Sequence, residues 1–184
     1  LETVIEAAVN IAYPAIRTRA RLERRYQTVP AVDGNPGRLE QVFLNLLLNA
    51  SQAFPEDSEE SDNLIRVSLR AEGDQVVADV SDNGPGIPSD LLTRIFDPFF
   101  TTKPVGVGTG LGLPICRGIV QTHGGEITVD SKPGTGAVFT LSFPASKLSP
   151  IMPSRKSDRS PQEAGDVSER GRVLVVDDED DVAH

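Results

Sequence analysis

The chain has no tryptophan, a single cysteine and only two histidines in 184 residues. Cys116 alone cannot form an internal disulfide, which fits a reducing compartment and a packing role on a helix. No apolar run approaches the roughly 18 residues of a membrane span, and no stretch reads as a secretory leader. A cytoplasmic location without membrane contact by this stretch is therefore expected. The chain opens on Leu1 and reads as a piece of something larger, with room upstream for an anchor. Positive charge is in short supply: the net charge of −9 argues against a nucleic-acid surface. The early arginines Arg17, Arg19, Arg21, Arg24 and Arg25 read as a solvated strand face. Also missing is G-x-x-x-x-G-K-[ST], so a P-loop is excluded.

What is present centres on residues 82–113. Asp82-Asn-Gly-Pro-Gly-Ile-Pro88 opens this stretch, Ile95-Phe-Asp-Pro-Phe-Phe-Thr-Thr-Lys103 follows, and Gly106-Val-Gly-Thr-Gly-Leu-Gly-Leu113 closes it. Glycine lets the backbone approach a ligand, at an entropic cost that needs a reason. The first cluster ends a β-like run at Val76–Val80. The second opens a helical pattern at Leu111–Thr122, where unpaired N–H groups and the dipole's positive end can meet an anion. Either cluster alone reads as a turn; together, with an acid leading the first, they point to a nucleotide. Gly108-x-Gly110-x-Gly112 has the wrong spacing for G-x-G-x-x-G, and no hydrophobic strand enters it.

Along the chain, Val4, Ile5, Ala8, Val9 and Ala12 keep helical spacing, and Pro14 is expected to end that helix. Arg19–Gln27 reads as a strand, and residues 29–37 as turn chemistry with Asn35 and Pro36 suited to N-cap and first-turn positions. The strongest helix spans Arg38–Phe54, with a stripe through Leu39, Val42, Phe43, Leu46, Leu47 and Ala50. Gln41, Asn45, Asn49 and Gln52 line the adjacent edge. Two asparagines one turn apart on a leucine-rich helix are unusual, since asparagine prefers caps and turns. They form either an exposed polar face or a site, and an amide oxygen suits Mg²⁺, which takes one or two protein ligands beside phosphate oxygens. Leu64–Ala71, Gln75–Val80, Glu126–Ser131 and Gly136–Phe143 alternate as strands, and His123-Gly-Gly125 caps the helix before the third. The composition then turns to Ser, Pro and charge, which reads as a flexible linker over 147–170.

The order Leu39–Ala50, Asp82-x-Gly-x-Gly86, Phe96-Asp-Pro-Phe-Phe100, Gly108-x-Gly-x-Gly112 and Gly134-Thr-Gly136 resembles the N, G1, F, G2 and G3 boxes of bacterial sensor histidine kinases. The resemblance covers roughly residues 1–146 and identifies them as the catalytic ATP-binding domain. It implies a two-layer α/β sandwich of the Bergerat type, with a mixed sheet of about five strands, helices on one face and ATP under a lid formed by Ser89–Val107. Val173-Leu-Val-Val-Asp-Asp-Glu179 resembles the first strand of a receiver domain over 171–184. Asp177 and Asp178 stand where its Mg²⁺-binding acids stand, which implies a hybrid kinase; a merely solvated acidic tail is the alternative.

By this resemblance Asp82 accepts a hydrogen bond from the adenine amino group, as an acceptor-only carboxylate can. Gly84, Gly86 and Ile87 close over the base, and Thr140 supplies a hydroxyl near it. Asn49 holds Mg²⁺, with Asn45 one turn earlier on the same wall. Lys103 reaches the terminal phosphates, and Gly108, Gly110, Leu111, Gly112 and Leu113 cradle them. Asn45, Asn49 and Lys103 are thus the residues expected at the chemistry. Phe96, Phe99 and Phe100 either anchor the lid or pack in the core.

Related ATPases such as gyrase and the heat-shock chaperones carry a general-base glutamate one turn before the magnesium asparagine. Asn45 stands there and cannot take a proton, and Glu40 lies nine residues before Asn49. Transfer to a protein is thereby favoured over hydrolysis. Neither His123 nor His184 lies in the sequence context of an acceptor histidine, so the acceptor is expected on separate dimerisation helices, with a receiver domain or response regulator as the next partner. The alternatives are a related ATPase, an anti-sigma-type serine kinase, or a nucleotide-regulated binding module.

Overall fold

Alternating apolar residues build the centre of the sheet. Ile65, Val67 and Leu69 of β2 (Leu64–Glu72) and Val76, Ala78 and Val80 of β3 (Gln75–Asp82) are buried on one side of an antiparallel pair. The computed structural model describes residues 1–55, 62–103 and 108–147. In it β1 (Arg21–Tyr26) lies parallel to β2, and β5 (Ala137–Pro144) runs antiparallel between β3 and the edge strand β4 (Glu126–Ser131). The mixed sheet therefore has the order β1-β2-β3-β5-β4.

Helices α1 (Glu2–Ile16), α2 (Pro36–Ala53) and α4 (Gly112–Thr122) cover the apolar face, and their buried residues join the strands in one core. A single turn, α3 (Ser89–Leu92), lies in the connection between β3 and α4. Phe43 of α2 and Phe143 of β5 are fully enclosed, each worth about 1.5–3 kcal/mol of burial. The opposite sheet face is polar: Ser68 Oγ donates to Asp79 Oδ2 at 2.9 Å, Thr140 Oγ1 donates to Asp79 Oδ1 at 2.8 Å, and the Arg70 guanidinium also donates to Asp79. An antiparallel sheet tolerates such a one-sided core. This is the two-layer α/β sandwich expected, with helices on one face.

Two local expectations met different fates. Asn35 does cap α2, its Oδ1 accepting from Arg38 N–H at 3.0 Å, with Pro36 in the first turn. Pro14 does not end α1, which continues to Ile16 and closes with Arg17 N–H donating to Tyr13 O at 2.9 Å. Ile16 is fully buried while the proline ring is exposed, so core packing carries the last turn past it. The linker and the receiver-like segment with Asp177 and Asp178 lie, from residue 148 on, outside the described residues, as do residues 104–107 of the lid. Among the described residues no helix is long and apolar enough to cross a membrane.

Candidate nucleotide site

β3 ends on Asp82, in step with buried Ala78 and Val80, so its carboxylate stands on the helix side of the sheet, opposite Ala137 of β5. Burial pushes this carboxyl above the usual carboxylate range, against the opposing pull of the Gly84 and Ala137 backbone N–H groups; the Gly84 bond is 2.9 Å. Two oxygens offer more acceptor capacity than these donors use.

The loop after β3 is fixed against the β4–β5 turn. Gly86 has φ +73° and a Cβ there would collide with the Lys132 carbonyl. Gly134 N–H donates to Pro85 O at 2.7 Å. Ile87 N–H donates to Ser131 Oγ at 2.8 Å, and that hydroxyl donates onward to Gly136 O at 2.6 Å. Ser131 is buried and ties the G1 loop to the G3 turn. The sequence reading missed it, although a serine following inward-facing Ile127 and Val129 at the same parity was a usable signal.

Across the cavity, α2 presents Asn45, Asn49 and Gln52. Lys103 Nζ donates to Gln52 Oε1 at 2.5 Å and to Asn49 Oδ1 at 3.4 Å, and burial lowers the pKa of this ammonium from its ordinary value. Gln52 is a second member that the sequence placed on the polar edge without a role. Asn45 Nδ2 donates to Cys116 Sγ at 3.7 Å, and that thiol donates to Val42 O at 3.7 Å. Burial pushes the Cys116 thiol up to about 11, which keeps it protonated and unreactive.

The second glycine cluster leads into α4. Gly110 has φ +65°, and a Cβ there would collide with the Phe99 backbone, whose N–H donates to Gly110 O at 3.0 Å. Phe99 itself has φ +66°, rare for a bulky residue, and its ring is 75% exposed. The three phenylalanines divide: Phe100 faces the cavity under Arg94, whose guanidinium lies 4.5 Å from the ring centroid. Phe96 packs on the core beside Arg117, and Phe99 points to solvent.

The cavity holds about 500 Å³, within the range of small-molecule sites. It brings together Asn45, Asn49, Asp82, Gly86, Ile87, Lys103, Gly108, Gly110, Gly112 and Leu113. Gly84 and Leu111 do not line it; Gly84 acts one step back, by bonding Asp82. Thr140 is a correction: it lies on the outer sheet face bonded to Asp79, and Ala137 and Phe139 of β5 face the cavity instead. Asp82 is the only carboxylate among the described lining residues, and Glu40 is not one of them. Among the described residues no cluster of three or more His, Cys, Asp or Glu could hold a metal. One Asn49 oxygen suits a magnesium ion that arrives on phosphate oxygens.

Residues 34–147 match the family described as histidine kinase-, DNA gyrase B- and HSP90-like ATPases. The chain is 39% identical over 164 residues to the sensor kinase CckA of Brucella abortus, covering 82% of this chain and 17% of that protein. It is 44% identical over 147 residues to the sensor histidine kinase ZraS of Escherichia coli K12, covering 78% and 30%. It thus spans less than a third of either relative. Among solved structures, the nucleotide-free catalytic domain of histidine kinase ThkA superposes with a TM-score of 0.66 at 32% identity, covering 78% of this chain and 91% of that one. Full-length ShkA in complex with AMPPNP superposes with a TM-score of 0.66 at 28% identity, covering 82% and 31%.

Proposed function

The chain belongs to the family of histidine kinase-, DNA gyrase B- and HSP90-like ATPases, as a histidine kinase ATPase domain, and from that premise we propose that it binds Mg-ATP and donates the γ-phosphoryl group to a histidine on separate dimerisation helices. Asp82 accepts from the adenine amino group; guanine would set a carbonyl against the carboxylate, acceptor to acceptor. The loop of Gly86 and Ile87 covers the base. The N–H groups around Gly108, Gly110 and Gly112, together with Lys103, meet the phosphates. Asn49 holds the magnesium ion, which neutralises charge on the phosphate oxygens. Asn45 lines the same wall. In the transfer a nitrogen of the acceptor imidazole attacks the γ-phosphorus, the P–N bond forms, the bond to the β-phosphate bridging oxygen breaks and ADP leaves. Such chemistry is mostly positioning and charge neutralisation, so the domain contributes without a base of its own.

The observation that carries this reading is the carboxylate inventory. Among the described lining residues Asp82 is the only carboxylate; committed to the adenine, it leaves none of them to activate water. Further partners are a receiver domain or response regulator. The test mixes the chain and Mg-ATP with dimerisation helices bearing the acceptor histidine. Acid-labile phosphate on those helices, and none on this chain incubated alone, is expected. Tight ATP binding without transfer would sink the proposal.

A further inference from the structure

His123 plays no part in the reading above, and it does not line the cavity. Its half-buried ring is nevertheless bonded through both nitrogens. Nδ1 lies 2.7 Å from Ile119 O, and Nε2 accepts from Asn35 N–H at 3.0 Å. A nitrogen that accepts from an amide carries no proton, so Nδ1 holds the hydrogen and donates to Ile119. Thr122 Oγ1 lies 3.3 Å from Nδ1. The ring therefore joins the last turn of α4 to the capping residue of α2. Gly34 leaves the space for it: a Cβ there would collide with His123 Cδ2 and stand 2.9 Å from Nε2.

The consequence follows from helix direction. Asn35 meets His123 at one end and Asn45 meets Cys116 midway, so α2 and α4 run antiparallel. The far end of α2 carries Asn49, and the far end of α4 is Gly112, both lining the cavity. Bonded at the His123 end and again midway through Cys116, the two helices open onto the cavity at the other end. The adenine side is held separately, by Asp82, Ser131 and the Gly86 loop.

We propose that His123 is a positioning residue: its two-sided bond sets the separation of α2 and α4, and so the fit of the phosphate half of the site but not the adenine half. The inference rests on the nucleotide reading above. It is tested by titrating the folded chain with Mg-ATP and, separately, with adenosine, for the wild type, His123→Ala, His123→Gln and Gly34→Ala. Removing the ring weakens Mg-ATP by about tenfold or more, since misplacing a site from a distance carries costs of that order, and leaves adenosine unchanged. His123→Gln, whose amide oxygen can take the Asn35 N–H, stays close to wild type for both ligands. Gly34→Ala, which crowds the ring, weakens Mg-ATP in the wild type but adds nothing in the His123→Ala background, as a double-mutant cycle reads directly. Equal losses for both ligands, no loss for either, or additive Gly34→Ala and His123→Ala effects overturn the proposal. A wild-type chain that binds neither ligand overturns the nucleotide reading and the inference with it, and is told apart because the variants then have nothing to change.

Discussion

At Asp82 the needs of folding and of the proposed adenine contact pull apart. Burial raises its pKa above the unfolded value, so ionising it costs more in the folded chain. Stability from this group is complete below the unfolded pKa and is lost as pH rises through the folded one, leaving the ionised carboxylate as a standing cost at neutral pH. Lys103 mirrors it, since burial lowers its pKa and its charged form is the one that costs. Asp82→Asn and Lys103→Met are therefore expected to melt no lower than wild type at about pH 7 without nucleotide, while each weakens Mg-ATP by about 10²-fold or more. For Asp82→Asn the thermal advantage shrinks as pH falls toward the carboxylate range, which thermal melts from about pH 4 to 8 would follow. A variant that melts lower yet keeps its affinity would contradict both halves. Asp82 and Asn49, which both line the cavity, stood out in the sequence as an acid leading a glycine cluster and an asparagine on a leucine-rich helix. Thr140 was misplaced although Phe139, Leu141 and Phe143 already assign it the outer face by parity. Gln52 and Ser131 act through partners distant in sequence, Lys103 and Ile87, which no local pattern displays.

Among the elements, α1 carries a defect that its sequence advertises and its packing overrules. Pro14 lies two residues before the end of the helix and offers no N–H to it. Pro14→Ala is expected to stabilise the fold by about 1–3 kcal/mol, read from a denaturant midpoint at unchanged slope. A loss would mean that the proline limits the unfolded state more than it strains the helix. Asn35→Ala, which removes the side-chain acceptor for Arg38 N–H, should cost about 1 kcal/mol in the same measurement. α2 was legible because its apolar stripe and its cap agree. α1 was cut short because the sequence shows the proline and not the burial of Ile16 in the core. α3 went unforeseen since a single turn has no period to read.

At the scale of the described domain, one strand pairing joins segments far apart in sequence. Asp82 of β3 pairs with Ala137 of β5, closing a loop of about 55 residues that contains α3, α4 and β4. Closing a loop of that length costs about 3–4 kcal/mol in chain entropy, returned only when β5 docks. The hairpin of β2 and β3 is local, and contacts of long sequence separation tend to form late. The cavity, with one wall on α2 and most of the other inside that loop, is thus expected to be absent from the folding transition state. Saturating Mg-ATP should then leave the refolding rate nearly unchanged and slow unfolding by almost the full factor by which it raises stability, as stopped-flow refolding and unfolding would show. For such a protein the nucleotide acts as a kinetic lock: it does not help the chain find its fold, but it sets how long the fold lasts.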